Sequence, residues 1–405
     1  MKSRLNLRSF FVLLPLFALA FGLLPASAQK GPEGLKTLNF GDAAPAFTLP
    51  GIDGKDYTLD DFKDGKVLVV FFTCNHCPSA QAVEARFIQF VTDYKPKGVE
   101  IVAISPNSPA GIRPDELGYS LYGDSFEDMK KHAKEQGFNF PYLYDGDSQS
   151  VAKEYGCLAT PHVFVFDAER KLRYKGRFDD SRFVDPALIK HHDTINAVDA
   201  LLKGEKVAVK QTRPHGCSTK WAYKADIVTK HAETLDSTPV TIEEIDAEGL
   251  KALLAATKES DKPRFRMVNL WATWCVPCVA EMPDLIAISR KFGLRDFEFN
   301  TITLDKPGKR ERAAAFLSKQ GAAPERKLAA ALKLEKRATA HYLFTGSNDE
   351  LAAALDPEWP GPIPYTVLID TDNKIVKRYS GKVDAEQVTR DIVDQLGKYY
   401  VPAKK

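Results

Sequence analysis

One pattern occurs twice along the 405 residues and restricts the fold more than any other feature. An apolar run leads into a C-x-x-C pair: KVLVVFFT (Lys66 to Thr73) into Cys74 and Cys77, and FRMVNLWAT (Phe265 to Thr273) into Cys275 and Cys278. Farther on, TPHVFVFDAERK and IPYTVLIDTDNK repeat the same offsets. Six residues separate Pro161 from Asp167 and Pro364 from Asp370, and four more lead to Lys171 and Lys374. The second cysteine lies 84 residues before the proline in the first half and 86 in the second. Spacing matched over that distance implies two copies of one unit.

Both apolar runs read as buried strands. Behind the first pair, Val83, Phe87, Phe90 and Val91 recur at helical spacing, as do Met282, Leu285, Ile286 and Ile288 behind the second. Each pair therefore stands where a strand gives way to a helix. Further strands are expected at VEIVAIS (99–105) and FEFNTITL (297–304), with helices over 126–136, 186–202, 310–319 and 385–396. Strands alternating with helices predict an α/β class, each unit a mixed, mainly parallel sheet covered by helices on both faces. The expected organisation is a first unit over 38–221, a polar linker over 222–239 and a second unit over 240–401. Two stretches break the symmetry. Residues 105–124, with Pro106, Pro109 and Pro114, form a long loop, which at that length is expected to be functional. Residues 323–340 read as a helical insertion in the second unit.

The chain opens MKSRLNLR, continues with an apolar stretch from Phe10 to Leu24 and reaches Ala26-Ser27-Ala28. That layout predicts a signal peptide over 1–28, cleavage after Ala28 and an extracytoplasmic, periplasm-like location. The alternative is an uncleaved anchor, although Pro15 interrupts the run. No later stretch reads as a membrane span, so no stable insertion is expected after cleavage. With 56 basic against 54 acidic residues, no strong field favours nucleic acid.

Four of the six cysteines fall into the two C-x-x-C pairs, a spacing typical of redox or metal sites. A helix N-terminus aims free N–H groups and the positive dipole end at a sulfur, which favours the thiolate that attacks disulfides. Cys74 and Cys275 are thus expected to attack, and Cys77 and Cys278 to resolve. Pro161 and Pro364 are expected to be cis, presenting the preceding backbone to a substrate strand beside the sulfur.

On these motifs both halves resemble thioredoxin-fold proteins. LWATWCVPCVAEMPDL and IPYTVLID make the second half similar to the TlpA/ResA-like thioredoxins, which implies a proton-moving role for Glu281 near the deeper cysteine. FGDAAPAFTLPGIDGKDYTLDDFKDGK, TCNHCPSA and GCSTKW make the first half resemble the redoxin/AhpC-TSA branch, in a subgroup marked by CNHCP. That subgroup implies a cysteine directly before the Thr-Pro pair; here Ala159 stands there and Cys157 lies two residues earlier. His76 before Cys77 is similar to the C-x-H-C of strongly oxidising DsbA-like proteins, while CVPC resembles that of exported reductants. Such potentials range from about −270 to about −120 mV.

The resulting expectation is a thiol-disulfide oxidoreductase acting on protein dithiols or disulfides with an upstream electron donor. Its two sites either relay electrons, the second to the first, or serve separate clients. No pattern demands an organic cofactor. A copper- or metal-binding first half is the alternative, with Cys74, His76, Cys77, His162, His215 and Cys217 as soft donors. A peroxidase is the lesser one, because P-x-x-x-T-x-x-C is absent: Cys74 stands where a threonine should precede Cys77, and Pro78 follows instead of preceding. Cys157 and Cys217 are expected to bridge; the alternative is a buried free cysteine and a free tail thiol.

Overall fold

The computed structural model describes residues 31–258 and 263–402, so the expected signal peptide lies outside the described residues. A hairpin, β1 (Thr48–Pro50) and β2 (Asp56–Thr58), precedes the first sheet. That sheet is built from β3 (Val67–Phe72), β4 (Val99–Ser105), β5 (Tyr142–Tyr144), β7 (His162–Phe166) and β8 (Leu172–Gly176), in the order β5-β4-β3-β7-β8. A two-stranded ribbon, β6 (Ala159–Thr160) with β9 (Cys217–Ser218), stands apart from it. The second sheet is six-stranded: β10 (Glu243–Ile245), β11 (Phe265–Trp271), β12 (Phe297–Thr303), β13 (His341–Phe344), β14 (Tyr365–Ile369) and β15 (Ile375–Ser380), ordered β10-β13-β12-β11-β14-β15. The helices are α1 (Pro78–Tyr94), α2 (Phe126–Gln136), α3 (Ser150–Tyr155), α4 (Asp193–Leu202), α5 (Ala225–Ser237), α6 (Ala247–Lys258), α7 (Val276–Lys291), α8 (Arg310–Lys319), α9 (Arg326–Leu334), α10 (Asn348–Leu355) and α11 (Ala385–Leu396).

The repeat is visible in strand pairing. β3 runs parallel to β4 and antiparallel to β7, with Phe72 opposite His162; β11 runs parallel to β12 and antiparallel to β14, with Leu270 opposite Tyr365. In each half the strand feeding the cysteine pair lies beside the strand that follows the proline. The closing hairpins, β7–β8 and β14–β15, are antiparallel, so each sheet is mixed.

Period-two alternation splits every central strand between two cores. Val67, Val69 and Phe71 pack with residues of α1 and α4, while Leu68, Val70 and Phe72 pack with α3 and Trp221. In the second half Phe265 and Met267 meet α7 and α11, and Val268 and Leu270 meet α6 and α10. Helices on both faces explain why these strands are continuously apolar rather than alternating.

Two sequence expectations change here, and a third gains detail. The polar stretch expected as a linker over 222–239 is mostly helical, forming α5; Ala, Lys, Glu and Leu are good helix formers, and the polar composition reflects exposure, with Leu235 as its buried residue. The helix expected from residue 186 begins at Asp193, after a separate 3-10 turn at Pro186–Leu188. The long loop 105–124 holds two such turns, Pro109–Gly111 and Pro114–Leu117, and docks on the second half. There Arg295 donates to the Gly118 carbonyl at 2.6 Å and Lys291 to that of Leu121 at 2.9 Å.

Candidate active sites

In the first half β3 ends at Phe72, and α1 begins only at Pro78. Proline fits the first helical position, where its missing N–H is not needed, and it disfavours helical geometry in the residue before it. Cys77 is therefore the extended N-cap, and its carbonyl accepts the Gln81 amide at 3.0 Å. Cys74 lies before the helix. In the second half the proline stands inside the pair, as Pro277, and the N-cap is the first cysteine, Cys275. Proline placement thus gives the helix N-terminus of the first pair to Cys77, where the expectation had put it at Cys74.

The electrostatics agree. Burial opposes the Cys77 thiolate, but hydrogen bonds from Cys217 and Cys74, the His76 charge and the Ala80 amide hold its thiol well below the ordinary value. Cys74 is pushed well above it, by burial first and then by its contact with Cys77 and the charge on Asp124. Cys74 Sγ lies 3.0 Å from Thr160 Oγ1, and Cys77 Sγ lies 3.3 Å from the Thr160 carbonyl oxygen. His76 Nδ1 pairs with Asp124 at 2.6 Å, and Asp124 also accepts from the Asn75 and His76 amides and from Asn107 Nδ2. Burial disfavours both charges of this pair, yet their mutual attraction leaves His76 raised and Asp124 lowered. His76 thus lies where an imidazolium stabilises the Cys77 thiolate.

In the second half Cys275 and Cys278 form a disulfide, and Cys275 Sγ lies 3.7 Å from the Ile363 carbonyl oxygen. The flanking Trp274 and Val276 are 65% and 79% exposed. Glu281, three residues beyond Cys278 and on the same helical face, is fully buried rather than solvent-facing. It accepts from Asn269 Nδ2 and from the Val383 amide, each at 3.0 Å, and burial raises its carboxyl pKa.

The peptide bonds before Pro161 and Pro364 are both cis, as expected. The expected Cys157–Cys217 bridge is absent: both cysteines are free. Cys157 is buried beneath the sheet, with Sγ donating to the Ala159 carbonyl at 3.3 Å, and its thiol is pushed up to about 12 by burial. Cys217 instead lies against Cys77, donating its amide to the Cys77 sulfur at 3.4 Å. The ribbon sets this arrangement, because it places Cys217 opposite Thr160 and leaves Cys157 outside the pairing. Two further expected metal donors lie apart from the Cys74–His76–Asp124 cluster, and His162 Nδ1 is buried without a hydrogen-bond partner. His162 is buried against Phe164 with its pKa driven down to about 3, and His215 Nε2 lies 3.1 Å from Arg177 Nη1. Asp124, Asn107 and Thr160 were not singled out by sequence. Thr160 sits beside a proline that was, and Asp124 closes the loop whose length marked it.

Residues 40–175 match the AhpC/TSA family and residues 249–396 match Redoxin. Peroxiredoxin Bcp of Escherichia coli is 25% identical over 173 residues, covering 40% of this chain and 95% of that protein. Thiol-disulfide oxidoreductase ResA of Bacillus thuringiensis is 26% identical over 171 residues, covering 42% of this chain and 86% of that protein. An uncharacterized conserved protein of known structure from Geobacillus kaustophilus is 40% identical, covering 46% of this chain and 94% of its own, with a TM-score of 0.41. The chain belongs to the thioredoxin-fold redoxins, an AhpC/TSA-family domain followed in tandem by a Redoxin-family domain.

Proposed function

We propose that the protein is a thiol-disulfide oxidoreductase whose second half exchanges disulfides with extended protein clients. The observation that carries this reading is the Cys275–Cys278 disulfide at the start of α7, flanked by exposed Trp274 and Val276. Among the described residues no strand pairs with Ile363, so that backbone edge is free to take a client strand beside Cys275. In the reduced enzyme the Cys275 thiolate attacks a client disulfide and one client sulfur leaves as thiolate. Cys278 then gives up its proton, attacks Cys275 and releases the second client thiol. Glu281, buried with a raised pKa, takes that proton and returns it in the reverse direction.

The two halves serve separate reactions in this arrangement. The first half's loop meets α7 near Lys291, and Cys275 caps the opposite end of that helix, about 24 Å away at 1.5 Å per residue. The proposed location is extracytoplasmic, on the strength of the N-terminal pattern; among the described residues no helix is long and apolar enough to cross a membrane. Fractionation of cells expressing the full chain tests this, and retention in the cytoplasm with residues 1–28 intact refutes it.

One observation favours a second reading for the first half. Cys74, His76 and Asp124 each offer a ligand atom within 4.8 Å of the others, and His76 Nε2 is buried without a hydrogen-bond partner. A carboxylate holding the other ring nitrogen is the usual setting of a metal-binding histidine. Equilibrium titration of the full-length protein in glutathione buffers, with alkylation and mass mapping, decides between the readings. Exchange predicts a defined potential for Cys74/Cys77 as well as for Cys275/Cys278. A first pair that refuses to titrate but binds one Cu(I), and loses it in C74S, supports metal binding. Hydrogen peroxide turnover by the reduced protein would instead revive a peroxidase.

A further inference from the structure

The segment Gly216–Trp221 is fastened across the first site along its whole length. Cys217 and Ser218 pair antiparallel with Thr160 and Ala159, the residues leading into Pro161. The Thr219 amide donates to the Leu158 carbonyl, the Lys220 amide to Asn107 Oδ1 at 2.8 Å, and Trp221 is buried in the core. Gly216 permits the approach: a Cβ there would fall 1.9 Å from the Thr160 carbonyl oxygen. This edge, the counterpart of Ile363 in the second half, is therefore filled by the chain itself.

Exposure differs accordingly. Cys74, Asn75, His76 and Cys77 are all buried, whereas the residues flanking Cys275 stand open. Cys77 packs with Cys74, and Cys217 packs against the pair, its amide donating to the Cys77 sulfur at 3.4 Å.

We propose that Cys217 is a resident exchange partner of Cys77, and that the Gly216–Trp221 strap takes the place of a client strand, so that the first half passes its disulfide between Cys74 and Cys217. This rests on the exchange reading above and narrows it: the first site's substrate is a cysteine of its own chain. Starting from a Cys74–Cys77 disulfide, Cys217 loses its proton and its sulfur attacks that of Cys77. The Cys74–Cys77 bond breaks, the Cys77–Cys217 bond forms, and Cys74 leaves as a thiolate that takes up the proton. No electrons are gained or lost.

The test uses full-length protein, wild type and C74S, reduced and then equilibrated with glutathione disulfide as oxidant, acid-quenched, alkylated and digested. Wild type is expected to yield both Cys74–Cys77 and Cys77–Cys217 linked peptides. C74S is expected to yield the Cys77–Cys217 link in roughly tenfold or greater excess over a Cys77–glutathione adduct, because the resident thiol acts at high effective concentration. A stable glutathione adduct with Cys217 still alkylatable overturns the proposal, as does a Cys157–Cys217 link. Should C74S fail to fold, wild type alone decides: a Cys74–Cys77 link with Cys217 free at every ratio sinks this inference while leaving the exchange reading intact. Three first-half thiols that all stay alkylatable, while Cys275/Cys278 titrates, overturn both for this half.

Discussion

Asp124 accepts four hydrogen bonds in a buried setting, two from backbone amides, one from the His76 ring and one from Asn107. Its carboxyl is held below 3.8 and His76 above 6.5, which fixes the pH window of the pair. Stability from Asp124 is present above its ordinary value and lost as pH falls through the lowered one. Stability from His76 is present below 6.5 and lost as pH rises through the raised one. Between the two ordinary values, 3.8 and 6.5, the pair contributes fully. D124N leaves a buried imidazolium without its counter-charge and is expected to cost about 3–5 kcal/mol in urea unfolding at pH 6. The same variant should slow iodoacetamide alkylation of Cys77 at pH 6, since the charge that stabilises its thiolate is weakened. His76 was legible in the sequence as a charge beside a thiolate; which thiol it serves follows from Pro78 against Pro277, a difference that was present in the text but read without its effect on the helix start. Asp124, 48 residues from His76 at the end of a loop, carried no local signal.

At the scale of elements, the continuous apolar run of β3 announced a strand buried on both faces, and the structure uses it so. Phe72 packs edge-on against Tyr155 and Phe164, with ring centroids 5.5 and 5.7 Å away. F72A is expected to lose about 3–5 kcal/mol of stability, read from denaturant midpoints, through lost burial and the cavity left behind. Helix α5 shows the opposite case. Its sequence buries little, so periodicity was faint, and its order comes from outside: Arg290 reaches Asp236 in α5, and His231 pairs with Glu325 of the second half. The two-residue strand β9 was illegible for a related reason. GCSTKW has no strand pattern of its own, and only the Thr160 edge makes it one. G216A tests that edge: the added Cβ must displace the strap, and proton exchange at the Cys217 amide is expected to quicken by tenfold or more, about 1.4 kcal/mol or greater of lost local protection.

Across the whole molecule, the long loop has a role its composition did not reveal. Its ends belong to the first site, through Asn107 and Asp124, while Gly118, Tyr119 and Leu121 lie on the second half. Arg295 anchors it. The guanidinium reaches the carbonyls of Gly118, Leu396 and Gly397 and stacks 3.8 Å from the Tyr119 ring centroid. R295A leaves these carbonyls without a donor and is expected to cost about 1–3 kcal/mol. Limited proteolysis should then cut within 105–124 while both sheets survive.

The tandem repeat made both halves recognisable as one architecture, yet their Thr160 and Ile363 edges differ in a way that changes molecularity. A strand held in place makes its reaction first order, indifferent to dilution and to whatever proteins share the compartment. An open edge makes its reaction second order, paced by the abundance of clients. On the proposed chemistry, one duplicated scaffold thus holds a clock that runs at its own rate beside a counter that follows its surroundings.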